Sequence, residues 1–294
     1  MTARPEPAAY AAPALFVLLW SSGFIGAKLG LPYAEPLTFL LLRFTCVLAL
    51  MVPLVLFARA PWPASPRDAL HIAVAGVLIQ AGYLGGVFSA IHQGMSAGVV
   101  ALIVGIQPLL TATVAGRMLG ERVSAQQWIG FTLGLTGVTL VVWQKMSLHG
   151  MTAVSLVLAL IALFSITFGT LYQKRYCPRF DARSGSVIQF AASFVLLLPL
   201  AWSTETMRIE WTGEFLFALG WLVLVLSVGA ITLLFRLIAR GAATRVSSLF
   251  YLTPAVTALM AYLVFDEILS SLAIAGMIIA IVGVAMINRT RIPA

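Results

Sequence analysis

The stretch IQPLLTATVAGRMLGER, residues 106–122, returns 146 residues later as LTPAVTALMAYLVFDEI, residues 252–268. Aligned without a gap, the two pair Pro108 with Pro254, Thr111 with Thr257, Ala112 with Ala258, Ala115 with Ala261 and Glu121 with Glu267. Each is an apolar run broken near its start by a proline and closed by a carboxylate. The same shift works outward, pairing Ser124 with Ser270, Gly130 with Gly276 and Gly137 with Gly283. It also lays FTCVLALMVPL (44–54) on FAASFVLLLPL (190–200), and a shift of 144 lays WSSGF (20–24) on FSITF (164–168). The chain writes one pattern twice.

Composition names the solvent. Of 294 residues 61% are hydrophobic and 10% charged, against roughly 45–50% and 25% in soluble domains. Mean hydropathy is +1.02. A water-exposed surface cannot accommodate that much apolar side chain, so most of the chain is predicted to face lipid. The net charge of +8 does not point to nucleic acid, because the basic residues stand singly or in pairs between apolar runs rather than in a stripe with aromatics. Cys46 lies in an apolar run and Cys177 in a basic loop, which makes neither a disulfide framework nor a metal site. The first apolar run lacks a charged leading region and a small-residue cleavage site, so it is expected to stay in the protein.

A spanning helix takes about 20 apolar residues. With charges, Pro and Gly as punctuation, ten are predicted: 11–30, 36–58, 68–92, 97–119 and 124–142, then 151–174, 184–202, 213–239, 243–265 and 270–287. The expected fold is an all-α polytopic membrane protein with two five-helix repeats, 1–147 and 148–294, around a central cavity. Lys and Arg concentrate on the cytoplasmic side of membranes. With both termini inside, only Lys145 and Arg208 fall in outer loops, while Lys28, Arg43 and Arg236 lie within helices. Five helices per repeat is an odd number, so the second half enters the membrane inverted. Inverted repeats make inward-open and outward-open states near mirror images, which is a transporter signal. Duplication alone also builds large bundles, but it does not account for prolines and aromatics kept in both copies.

These motifs, WSSGFIGAK in the first helix, Arg43-Phe44 in the second and the doubled proline-to-glutamate phrase, resemble the EamA group of the drug/metabolite transporter superfamily over essentially the whole chain. Within it the chain is most similar to the YddG-type exporters of aromatic amino acids. The resemblance implies a cavity lined by helices one to four and six to nine, with helices five and ten outside that ring. It also implies alternating access and a bacterial inner membrane, while superfamily substrates range from amino acids and drugs to nucleotide sugars. The chain's aromatic and hydroxyl residues, joined to the resemblance, predict export of small metabolites, most of all aromatic and other neutral amino acids. The alternative is a proton-coupled exporter of drugs or of other metabolites such as nucleosides.

Trp20, Phe24 and Lys28 are spaced to share one face of helix one, and Phe164, Phe168 and Tyr172 repeat the stripe on helix six. Two such stripes could stack on a flat ring across a cavity; the competing reading turns them to lipid. Ser21, Ser165 and Thr167 add hydroxyls. Pro108 and Pro254 each remove a backbone donor and free the carbonyls of Val104 and Phe250. They are candidate hinges, or else static kinks. Gln107 and Thr253 precede them and could bond a substrate or the freed carbonyls. Gln80, Tyr83, Gln189, Thr232 and Tyr251 complete the predicted polar lining. Arg43 within the membrane could meet a substrate carboxylate, but a structural, snorkelling role is preferred for it and for Lys28. His92 is expected at the interface. Gly130, Gly134 and Gly137, with Gly276, Ala280 and Gly283, are packing faces or an oligomer surface. The NRT at Asn288 abuts the membrane and is dismissed as a glycosylation site.

No nucleophile–base set is visible, so an enzyme is not expected; short loops and internal symmetry weigh against a receptor. No cofactor, metal or nucleic-acid partner is expected. The partners are a small-molecule substrate and the bilayer, with the chain a monomer or homodimer. All ten acidic residues lie in loops or at helix ends and no P-loop is present, so a facilitator is predicted.

Overall fold

The computed structural model describes residues 8–95, 97–143, 152–265 and 270–289. They form ten helical stretches: α1 Ala8–Gly30, α2 Pro36–Phe57, α3 Pro66–His92, α5 Ala125–Val142, α6 Ala153–Tyr176, α7 Ala182–Thr204, α8 Gly213–Arg240 and α10 Ser271–Arg289, with two broken ones between. Of these, α4 consists of Ala97–Val104 and Gln107–Leu119, and α9 of Ala243–Ser248, Leu249–Tyr251 and Leu252–Phe265. An isolated bridge, Ala34 to Ile209, is the only β pairing among the described residues.

Eight helices are long and apolar enough to cross a membrane among the described residues, where the sequence reading predicts ten. The two expected spans outside that set are α1, apolar over Ala11–Ala27 among the described residues, and α9. Helix starts follow from local chemistry. Ser124 and Gln127 form a reciprocal cap on α5, Thr152 and Ser155 on α6, and Pro36 sits in the first turn of α2, where no backbone donor is missed.

Breaks recur in both halves. The middle of α3 winds as a π-helix over Val77–Gly82, and α8 does so over Leu222–Ala230. α4 breaks just before Gln107, and α9 tightens to a 3₁₀ turn at Leu249–Tyr251, in each case ahead of the proline whose missing N–H frees a carbonyl four residues back. Phe44 and its counterpart under the 146-residue shift, Phe190, are fully buried against each other with ring centroids 5.3 Å apart.

The glycine faces of α5 and α10 meet each other. A Cβ on Gly130 would lie 2.7 Å from the Gly283 carbonyl oxygen, and one on Gly276 2.6 Å from the Gly137 oxygen. These faces are therefore consumed inside the chain, which corrects the oligomer-surface alternative.

One end of the bundle is shut. Gly120 adopts a left-handed φ of +72°, which ends α4 and turns Glu121 toward the start of α9. There the Glu121 carboxylate accepts from Ala243 N (2.7 Å), Thr244 N (3.2 Å) and the Thr244 hydroxyl (3.0 Å). Beneath it Ala115, Leu171 and Ala243 pack together, while Lys174 donates to the Ala239 carbonyl and Arg175 to that of Met118. At the other end Glu205 accepts from Leu37 N, Thr38 N and the Thr38 hydroxyl, at 2.8, 2.7 and 2.7 Å. Glu35 accepts from the amide and hydroxyl of Thr206, both at 2.7 Å, and these bonds hold its carboxyl below the usual range.

Cys177 follows α6 and is buried against Ile72 and Ala75. Burial disfavours the thiolate and pushes its pKa up to about 12. Since the thiolate is the nucleophile, we expect Cys177 to react with a maleimide at pH 8 at least about a hundredfold more slowly than a free thiol of pKa about 8.5. Mass spectrometry of labelled folded and denatured protein checks this.

Candidate functional site

A cavity of about 570 Å³ opens at the end bearing Leu31, Pro32, Ile91 and His92. α1 supplies Trp20, Gly23, Phe24, Ile25 and Ala27, and α3 supplies Tyr83, Leu84, Val87 and Phe88. Leu222, Leu226 and Ile231 come from α8, and Thr253, Pro254, Thr257 and Ala258 from α9. Arg43 enters from α2, Ala101 from α4, and Val141 and Val142 from α5. Neither α6 nor α7 contributes, whereas α5 does, which corrects the expected ring of helices. The halves differ in their packing: α1 flanks the cavity, while the inward side of α6 is filled by α3, whose Gly86 and Ile79 seat against it.

Trp20 is 6% exposed and stacks on Tyr83, with centroids 6.2 Å apart and planes 14° from parallel. Phe16 and Phe250 brace its other faces at 5.3 and 5.4 Å. One indole–phenol wall is thus fixed in orientation before any ligand enters, the arrangement that favours offset stacking on a flat group. Phe24 joins this wall.

Ser21 lies outside the lining. Its hydroxyl donates to the Thr253 carbonyl at 3.3 Å and its carbonyl accepts from the Thr257 hydroxyl at 3.2 Å, tying α1 to α9. Thr253 lines the cavity, and its own hydroxyl is without a partner among the described residues. Pro254 lines it too, while Pro108 is buried in α4.

The second aromatic stripe faces outward. Phe164 and Phe168 are 47% and 43% exposed and stack on each other, and neither reaches the cavity. The small side of α6 is the one turned inward: Gly86 seats against Ala162 and the Leu158 carbonyl, and Gly169 seats Ile79. At 3.6 residues per turn the aromatic side must then point away. Thr167 returns its hydroxyl to the Leu163 carbonyl at 2.7 Å. Thr232, half-buried on α8, is also outside the lining, and so is Tyr251, whose ring packs on Gly134 of α5. These are corrections to the predicted lining. The side chain of Lys28 lies outside the described residues.

Gln80, Gln107 and Gln189 are fully buried on the shut side of the cavity rather than in its wall. Gln189 Nε2 donates to the Gln173 side-chain oxygen Oε1 at 3.0 Å; both amide atoms of Gln80 and of Gln107 lack a protein partner among the described residues. Buried amides without partners cost free energy, so these groups mark a polar interior closed to the open cavity. The apolar contribution of α8 and the hydroxyl of Ser227 escaped the sequence reading, because a π turn leaves no periodicity signal in a continuous apolar run.

A cavity enclosed by helices of both halves, open at one end and latched at the other, is the architecture of a carrier. The model of the EamA-like transporter family matches twice, over residues 8–143 and 153–289. The chain belongs to that family. Its relatives include the "Uncharacterized transporter YvbV" of Bacillus subtilis, 26% identical over 94% of this chain and 90% of that protein. The "Uncharacterized inner membrane transporter YedA" of Escherichia coli is 27% identical over 93% and 90%. A "Probable amino-acid metabolite efflux pump" of Escherichia coli is 25% identical over 92% and 91%. A solved crystal structure with a TM-score of 0.78 and 18% identity covers 96% of this chain and 97% of its own, which shows the shared fold. This EamA-like protein is a multi-pass membrane transporter, and its family and relatives are transporters rather than enzymes.

Proposed function

We propose that this EamA-like carrier exports small metabolites with flat apolar side chains, aromatic and other neutral amino acids above all, by alternating access. The observation that carries the reading is the braced Trp20–Tyr83 wall in a largely apolar cavity that also holds Phe24 and Phe88. The amino-acid metabolite efflux named for one relative supports it. All ten helical stretches cross the membrane in this reading, as repeats 1–147 and 148–294. The latched end and both termini lie on the cytoplasmic side of a bacterial inner membrane in this proposal, a placement that the basic residues at that end, Arg117, Arg122, Lys174 and Arg175 among them, support. The cavity then opens outward, and Pro108 and Pro254 are hinges that exchange roles as the carrier flips. With no acidic residue of the sequence in mid-span, the substrate runs down its own gradient.

Counterflow in proteoliposomes tests this. Labelled Phe, Tyr and Trp are expected to exchange, and nucleosides, sugars and cationic dyes are not. Trp20→Ala is expected to raise the half-saturating aromatic concentration by about threefold to tenfold, the worth of a lost stacking contact. Transport of cationic dyes without amino acids would overturn the substrate assignment. Accumulation driven by an imposed pH gradient at fixed membrane potential would overturn the facilitator assignment and favour the proton-coupled exporter.

A further inference from the structure

Arg43 is 4% exposed and lines the cavity, where no carboxylate stands among the described lining residues. Its one side-chain hydrogen bond among the described residues runs from Nε to the Ser227 hydroxyl oxygen at 2.9 Å. Its terminal amino groups carry none among the described residues, although a buried charge left without a counter-ion is costly. A structural arginine would spend those donors on carbonyls or carboxylates; this one holds them free at the wall of an open cavity.

The way Ser227 is held points the same way. Its hydroxyl donates to the Leu222 carbonyl at 3.0 Å, five residues back, a reach that the π winding of α8 supplies. With its hydrogen committed there, the oxygen must present lone pairs to Arg43. Ser227 therefore fixes Nε and leaves the outer edge of the guanidinium, with one N–H on each terminal nitrogen, as a fork of the shape that receives a carboxylate. The counterpart of Arg43 under the 146-residue shift is Gln189, buried on the shut side and tied to Gln173. The charge is thus built into one half only.

We propose that Arg43, positioned by Ser227, is the anion anchor of the cavity, and that the transported molecule carries a carboxylate which seats on its terminal nitrogens while its apolar body lies on the Trp20–Tyr83 wall. This rests on reading the cavity as the transport site, and it makes the carboxylate, rather than the amino group, the recognised charge.

Binding to the purified full chain in a neutral detergent, by calorimetry, separates the outcomes. The probes are matched pairs: L-phenylalanine with L-phenylalaninamide, and 3-phenylpropionate with phenethylamine. The wild type is expected to prefer the carboxylate of each pair, and Arg43→Gln to weaken both carboxylates on the order of thirtyfold while leaving the amide and amine unchanged. Ser227→Ala is expected to weaken carboxylates by about threefold to tenfold, with Ser227→Thr restoring them. A purely structural arginine would instead lower stability and weaken all four probes alike, which overturns the anchor. So does a folded Arg43→Gln with its preference intact, or a wild type that binds neither carboxylate. If 3-phenylpropionate binds in an Arg43-dependent way but no amino acid crosses in counterflow, the anchor stands and the amino-acid assignment falls. If amino acids cross while the amide and amine bind as well as their partners, the anchor falls alone.

Discussion

Gly137→Ala is expected to destabilise the protein, although alanine is the better helix former by about 1 kcal/mol. A Cβ at this position would sit 2.5 Å from the Ala280 nitrogen and 2.6 Å from the Gly276 oxygen, both backbone atoms of α10 that cannot swing aside. Relief requires α5 and α10 to separate along the whole interface, which forfeits the close packing that holds helices together in lipid, where no hydrophobic drive favours their association. Overpacking of this kind costs about 1–3 kcal/mol or more, so the clash outweighs the propensity gain. Gly220→Ala is the internal control, because a Cβ there meets nothing within 4 Å. Thermal unfolding in detergent should show a lower midpoint for Gly137→Ala and an unchanged or raised one for Gly220→Ala. Equal midpoints would mean that these glycines do not set the helix contact.

Glu121→Ala is expected to open the latched end. The carboxylate accepts three hydrogen bonds from Ala243 and Thr244, satisfying donors that the first turn of α9 cannot pair internally. Hydrogen bonds to a charged group contribute about 1.5–3 kcal/mol each before water replaces them. A net loss of about 2 kcal/mol would shift the ratio of open to closed ends roughly thirtyfold. Ala115, fully buried beneath the latch, reports on it. In a chain with Cys46 and Cys177 changed to serine, a cysteine introduced at position 115 should react slowly with maleimide, and faster once Glu121 is alanine. Glu121→Gln keeps one acceptor oxygen and should fall between. Unchanged labelling in Glu121→Ala would show that apolar packing alone closes this end.

How far the site could be read in advance differs residue by residue. Trp20 and Phe24 were legible as one face because a helical face is fixed by the spacing of its large side chains, and Tyr83 as a polar group in an apolar run. Phe164 and Phe168 obey the same spacing and yet face outward. Periodicity defines a stripe; it does not say which neighbour the stripe meets, and the small residues Ala162 and Gly169 won the inward side of α6. Arg43 was visible as a charge in an apolar run, but its hydrogen bond to Ser227, 184 residues away in sequence, was not.

By itself the sequence determined that lipid surrounds this chain, that its pattern is written twice, and where proline interrupts the helices. These follow from composition and from local backbone chemistry, which each segment carries without its neighbours. Only the tertiary structure decided which end is latched, which glycine faces meet, and which copy of each repeated element lines the cavity. The two halves carry matching local instructions, but one packed structure opens at one end at a time. The symmetry written along the chain is broken in the packing, and so Trp20 stands in the open wall while its counterpart Phe164 lies on the outer face.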